Sequence, residues 1–99
     1  MNQKEIALRL IEAINRGSGE EIYRLLTRQT TFYSIDEGRE MDDKAFFDRL
    51  KRIPLPLEVG KILESKEAIK CVCVSEEKTV DIYLEVRQRR IVRAEINFR

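Results

Sequence analysis

The sequence predicts an α+β fold, in which a curved, largely antiparallel sheet wraps around N-terminal helices. Two observations predict it. In the N-terminal part, apolar residues recur at helical spacing, at Ile6, Leu10, Ala13 and Ile14 and again at Ile22, Leu25 and Leu26. From Leu57 to Phe98 the pattern is strand-like almost throughout, with apolar residues on both faces. In Ala68–Val74 one face carries Ile69, Cys71 and Cys73, and the other carries Val72 and Val74. A sheet wetted on one side alternates apolar and polar residues. This one asks for cover on both sides, and the helices can cover only one.

The elements follow in order. Lys4 to Asn15 reads as an amphipathic helix closed at Gly17, which takes the left-handed conformation easily. Ser18 or Gly19 starts a short helix from Glu20 to Thr27, whose leading glutamates suit the positive end of the helix dipole. Thr30 to Ile35 is β-branched and aromatic, hence a strand, and Asp36-Glu37-Gly38 is a turn. Asp42 or Asp43 caps a third helix running to about Arg52, with Phe46, Phe47, Leu50 and Ile53 inward. Pro54 and Pro56 stop it and hold Ile53 to Leu57 extended. Strands are then expected at Leu57–Ser65, Ala68–Ser75, Thr79–Arg87 and Arg90–Phe98.

Bulk properties narrow the function classes. Ninety-nine residues fit one domain spanning 1–99. Nineteen basic residues against 18 acidic leave a net charge of +1, without the basic excess of a nucleic-acid binder. No apolar stretch approaches the roughly 20 residues of a membrane span or resembles a signal peptide, so a soluble, cytoplasmic protein is expected. There is no histidine, which argues against zinc and non-haem iron. Cys71 and Cys73 share a strand face, are poorly placed for a disulfide, and read as buried reduced thiols. Neither a metal nor a cofactor is expected.

Three stretches carry a family likeness. Leu10-Ile11-Glu12-Ala13-Ile14-Asn15-Arg16-Gly17 with Ile22-Tyr23-Arg24-Leu25-Leu26 looks like an opening helix, a bend and a second helix. Pro54-Leu55-Pro56-Leu57 leads into the sheet, and Val86-Arg87-Gln88-Arg89-Arg90-Ile91-Val92-Arg93 is similar to a closing hairpin. In that order they resemble the nuclear-transport-factor-two-like superfamily, most closely its SnoaL-like and ketosteroid-isomerase-like members. The resemblance implies a cone, or cystatin-like roll: a bent sheet closed by three helices around a ligand pocket, often with a dimer on the convex face. The chemistry of ketosteroid isomerases does not carry over. Their oxyanion-hole tyrosine, protonated aspartate and basic aspartate align with Leu10, Tyr83 and Ser34.

The last strand guides the choice of site residues. Val92, Ala94, Ile96 and Phe98 share one face, expected to point into the cone, with Phe32 and Ser34 on the facing strand. The neighbouring strand depends on hairpin register, since a slip of one residue exchanges its faces. A two-residue turn at Gln88-Arg89 turns Thr79, Asp81, Tyr83 and Glu85 inward. A three-residue loop turns Val80, Ile82, Leu84 and Val86 inward and gives one continuous apolar face. The resemblance favours the tight turn. Val80, Ile82, Leu84 and Ile91 then lie on the convex face and call for a homodimer partner.

In that register Asp81 becomes a candidate acid/base and Tyr83 a candidate hydrogen-bond donor to an oxyanion. Phe32, Ser34, Ala94, Ile96 and Phe98 become the candidate pocket. The plainer alternative leaves Asp81 and Tyr83 solvated or paired with Arg93. Two functions are therefore carried forward. One is a SnoaL-like binder of a small hydrophobic molecule, its reaction unassigned and any catalysis cofactor-free. The other is a non-catalytic homodimerisation or interaction module.

Overall fold

The computed structural model describes all 99 residues. Helix α1 spans Gln3–Arg16; the Asn2 side chain caps it by accepting the Glu5 N–H, and Gly17 closes it at φ 65°. Helix α2 spans Gly19–Leu25, capped by Ser18 through the Glu21 N–H. Strand β1, Leu26–Ser34, follows without a loop. The helix thus ends two residues before the expected Thr27, and the strand begins four residues before Thr30. Hydroxyls stabilise this irregular start. Thr30 Oγ1 accepts the Thr27 N–H at 2.7 Å and donates to the Ile91 carbonyl at 2.7 Å, where β1 pairing is interrupted. Such side chain–backbone bonds compete with helix continuation.

A short strand β2, Arg39–Met41, was not expected; it folds back on β1 after the turn at Gly38. Helix α3, Asp43–Lys51, is capped by Asp42. Strands β3 (Glu58–Glu64), β4 (Ala68–Ser75), β5 (Lys78–Arg87) and β6 (Arg90–Phe98) complete the chain. The six strands form one mixed sheet, in the order β2-β1-β6-β5-β4-β3, with only β1 and β6 parallel. The expected α+β architecture of three helices and a wrapped mixed sheet is what the chain adopts.

The β5–β6 hairpin decides which side chains meet the helices. Its turn is the tight one, with Gln88 and Arg89 both at positive φ (51° and 65°) and Arg87 opposite Arg90. Two strand positions later the register breaks. Val86 pairs with Ile91, but Glu85 pairs with Arg93, so Val92 is an extra residue, a β-bulge. The bulge moves the rest of β6 by one position. Val80, Ile82 and Leu84 then stand opposite Phe98, Ile96 and Ala94. They face the helices, as Ile69, Cys71 and Cys73 do from β4, and all six are at most 4% exposed.

This overturns two expectations. Val80, Ile82, Leu84 and Ile91 belong to the core rather than to a convex interface. Asp81 and Tyr83 lie on the outer face, opposite Asn97 and Glu95. Val92 does not join the inward row.

Candidate functional site

Asp81 is only 3% exposed, although it lies on the outer face. Arg99 donates to both of its oxygens, at 2.8 and 2.9 Å, and Asn97 Nδ2 donates at 3.2 Å. The Arg99 hydrogen bonds hold the Asp81 carboxyl below the usual carboxylate range; burial opposes them, and Asn97 and Lys70 assist. A general base near neutrality needs the opposite shift. Burial, with Glu85 and Glu95 nearby, raises the Tyr83 phenol, partly offset by Arg93. Asp81 and Tyr83 therefore share a sheet face with ionic partners and do not look into the cone.

Of the expected pocket residues, Phe32, Ser34, Ala94 and Ile96 do meet on the helix-covered side. Ser34, Ala94 and Ile96 are fully buried, and Phe32 is 4% exposed. Phe32 stacks on Phe46 with ring centroids 4.6 Å apart, and both rings are buried in the core. Ser34 serves the turn after β1: its Oγ accepts the Glu37 N–H at 3.2 Å and donates to Asp36 at 3.4 Å.

Phe98 lies at the edge of the core, under the Arg49 guanidinium, 4.2 Å from its ring centroid. Arg49 is itself buried and binds both oxygens of Asp36 at 2.7 Å as well as Glu37. Its Nε is left without a partner. Burial raises the Asp36 carboxyl, but hydrogen bonds from Arg49 and the Phe98 N–H outweigh it and hold the group low. Glu37 is lowered too, first by Arg39 and then by Arg49. Burial pushes the Cys73 thiol up to about 12, aided by Cys71 and Asp81, so it is a packing residue rather than a nucleophile.

Space for a ligand lies at the rim. A cleft of about 620 Å³ runs between the end of α2, β1, β2 and the start of α3. Tyr23, Leu26, Phe32 and Met41 form its apolar wall, and Thr27, Thr30 and Thr31 supply hydroxyls. Three carboxylates, Glu40, Asp42 and Asp43, and one cation, Arg28, also line it, and Glu40 is paired with Arg93 at 3.2 Å. Asp42 is engaged as the α3 cap. Tyr23 is 53% exposed, stacks on Phe47 at 4.6 Å and donates its hydroxyl to Asp43 at 3.4 Å. Of this set only Phe32 was expected as a site residue. Strand β2, which was not foreseen, carries Glu40 and Met41 to the rim.

Solved structures share this arrangement over nearly the whole chain. An NTF2-like protein of unknown function from Cytophaga hutchinsonii superposes with a TM-score of 0.76 at 14% identity, covering 100% of this chain and 91% of its own. The chain has the NTF2-like fold. A SnoaL-like protein of unknown function from Burkholderia thailandensis gives 0.78 at 14% identity, covering 97% and 92%. A protein with a ketosteroid isomerase-like fold from Catenulispora acidiphila, in complex with trimethylamine, gives 0.74 at 12% identity, covering 96% and 85%. No protein-family model and no curated protein matches the sequence. At these identities the likeness establishes the NTF2-like fold and leaves the reaction unassigned.

Proposed function

We propose that this NTF2-like chain binds a small, mainly hydrophobic molecule in the rim cleft, not in the centre of the cone. The cleft itself carries the reading, because its volume lies within the range of small-molecule sites and the Phe32–Phe46 stack occupies the buried side behind it. Asp43, which has no cationic partner, and the exposed Tyr23 ring suit a ligand bearing an ammonium group. The trimethylamine complex of the Catenulispora protein agrees with that chemistry. Arginines hold the carboxyls of Asp36, Glu37 and Asp81 below the usual carboxylate range, which disfavours these three as acid/base groups near neutrality. Benzyltrimethylammonium, followed by amide chemical-shift mapping, tests the reading. Saturable shifts at Tyr23, Thr31, Phe32 and Met41 are expected; shifts elsewhere, or none at millimolar ligand, would remove it.

A second reading, homodimerisation through the outer sheet face, keeps one specific support. Leu63 and Val74 are 47% and 43% exposed there, with Val72 nearby. Sedimentation of the chain and of a Leu63→Lys/Val74→Lys variant tests it: a dimer that the two lysines split supports the reading, and a monomer at high concentration removes it.

A further inference from the structure

A second cleft, of about 300 Å³, opens where the end of α3, the start of β5 and the end of β6 converge. It shares no lining residue with the rim cleft. Its floor is apolar, made by Ile53, Val80 and Phe98, and Arg52, Lys78 and Arg99 stand around it. These three cations come from separate elements. Arg52 is the C-cap of α3, Lys78 opens β5 and Arg99 follows β6.

Their partners are few. None of the nine ion pairs in the molecule includes Arg52 or Lys78. Arg99 alone is paired, with Asp81, and its side chain stays half exposed. Asp81 is the one carboxylate paired with these three cations, through Arg99. Two of them are free to make new hydrogen bonds. Unpaired cations at a surface are ordinary when they point into bulk water; here they border a concavity with a Phe, an Ile and a Val beneath them.

We propose that this cleft binds a small amphiphilic carboxylate. Its oxyanion would sit between Arg52 and Lys78, and its apolar body on Ile53, Val80 and Phe98. A planar guanidinium offers paired donors to a carboxylate and an ammonium adds a point charge. The floor supplies the apolar burial that bare surface cations lack. The selectivity this arrangement gives is for a singly charged head on a short hydrophobic chain: a bare anion gains nothing from the floor, and a neutral amphiphile gains nothing from the cations.

Octanoate is the probe, with 1-octanol and inorganic phosphate as comparisons, each followed by amide chemical-shift titration of the whole chain. Octanoate is expected to shift Thr79, Val80 and Phe98 saturably, and more tightly than either comparison. Arg52→Gln and Lys78→Gln should each weaken octanoate by about tenfold, the loss of one charge-assisted hydrogen bond. Added sodium chloride should weaken it in the unaltered chain, a readout that needs no substitution. Equal binding of octanol would show a merely greasy surface, and equal binding of phosphate a merely cationic one. Either result, or unchanged affinity in both variants, overturns the proposal. The rim-cleft titration with benzyltrimethylammonium is read at different residues, so the two outcomes are independent.

Discussion

Arg99 clamps Asp81 on the outer face of the sheet, donating Nε and Nη2 to its two oxygens at 2.8 and 2.9 Å. The pair closes the end of the β5–β6 ladder, where Arg99 also donates its backbone N–H to Thr79. Because the folded state lowers the Asp81 carboxyl, the stabilisation is complete above the unfolded value of about 3.9. It is lost as pH falls through the lower folded value. Asp36 and Glu37 act in the same sense. Urea midpoints should therefore hold steady from pH 7 to about 5 and drop steeply below about 4. Arg99→Ala should lower the urea midpoint only modestly at pH 7, because the arginine is half exposed, and should flatten part of the acid drop.

Arg49 is the one buried arginine, and it ties α3 to the turn after β1 through Asp36 and Glu37. Removing it leaves Asp36 without its cation beside Phe98, while Glu37 keeps only Arg39. Arg49→Met should lower unfolding stability by about 3 kcal/mol in chemical denaturation. Arg49→Lys should recover only part of this, since an ammonium cannot make the bidentate contact with Asp36. Equal stability of the methionine variant would mean that the cluster is solvated in practice.

The hairpin at Gln88-Arg89 holds two non-glycine residues at positive φ, a turn geometry that favours Asn-Gly. Replacing the pair by Gln88→Asn with Arg89→Gly should stabilise the chain by about 0.5–1 kcal/mol without moving the register. Thermal melting gives the sign, and cross-strand NOEs between Glu85 and Arg93 check that the bulge persists.

That same hairpin shows how much of the fold the sequence disclosed. Two signals there were in conflict. The short turn argued for Asp81 and Tyr83 inward, and the polarity of Val80, Ile82, Leu84 and Val86 argued for the opposite face. Both signals were sound, because the bulge at Val92 lets a two-residue turn coexist with a continuous apolar face. Nothing in Arg90-Ile91-Val92-Arg93 marks a bulge, which often announces itself by glycine. The helices and strands β3 to β6 were legible from periodicity and caps such as Ser18 and Asp42.

The candidate site was less legible. Phe32, Ser34, Ala94 and Ile96 were placed correctly on the inner side, but periodicity reports which face is buried and not whether a void remains there. Strand β2 has three residues, none buried, and so lacks the apolar alternation that would reveal it.

Asp81 stands on the outer face of the sheet, held by Arg99, and is not placed as an acid/base group. A carbon-detected NMR titration of the Asp81 carboxyl tests this placement most directly. A midpoint below the ordinary aspartate value of about 3.9 is predicted, rising towards it in Arg99→Ala. A midpoint well above that value, near neutrality, would contradict the register and return Asp81 to an apolar pocket.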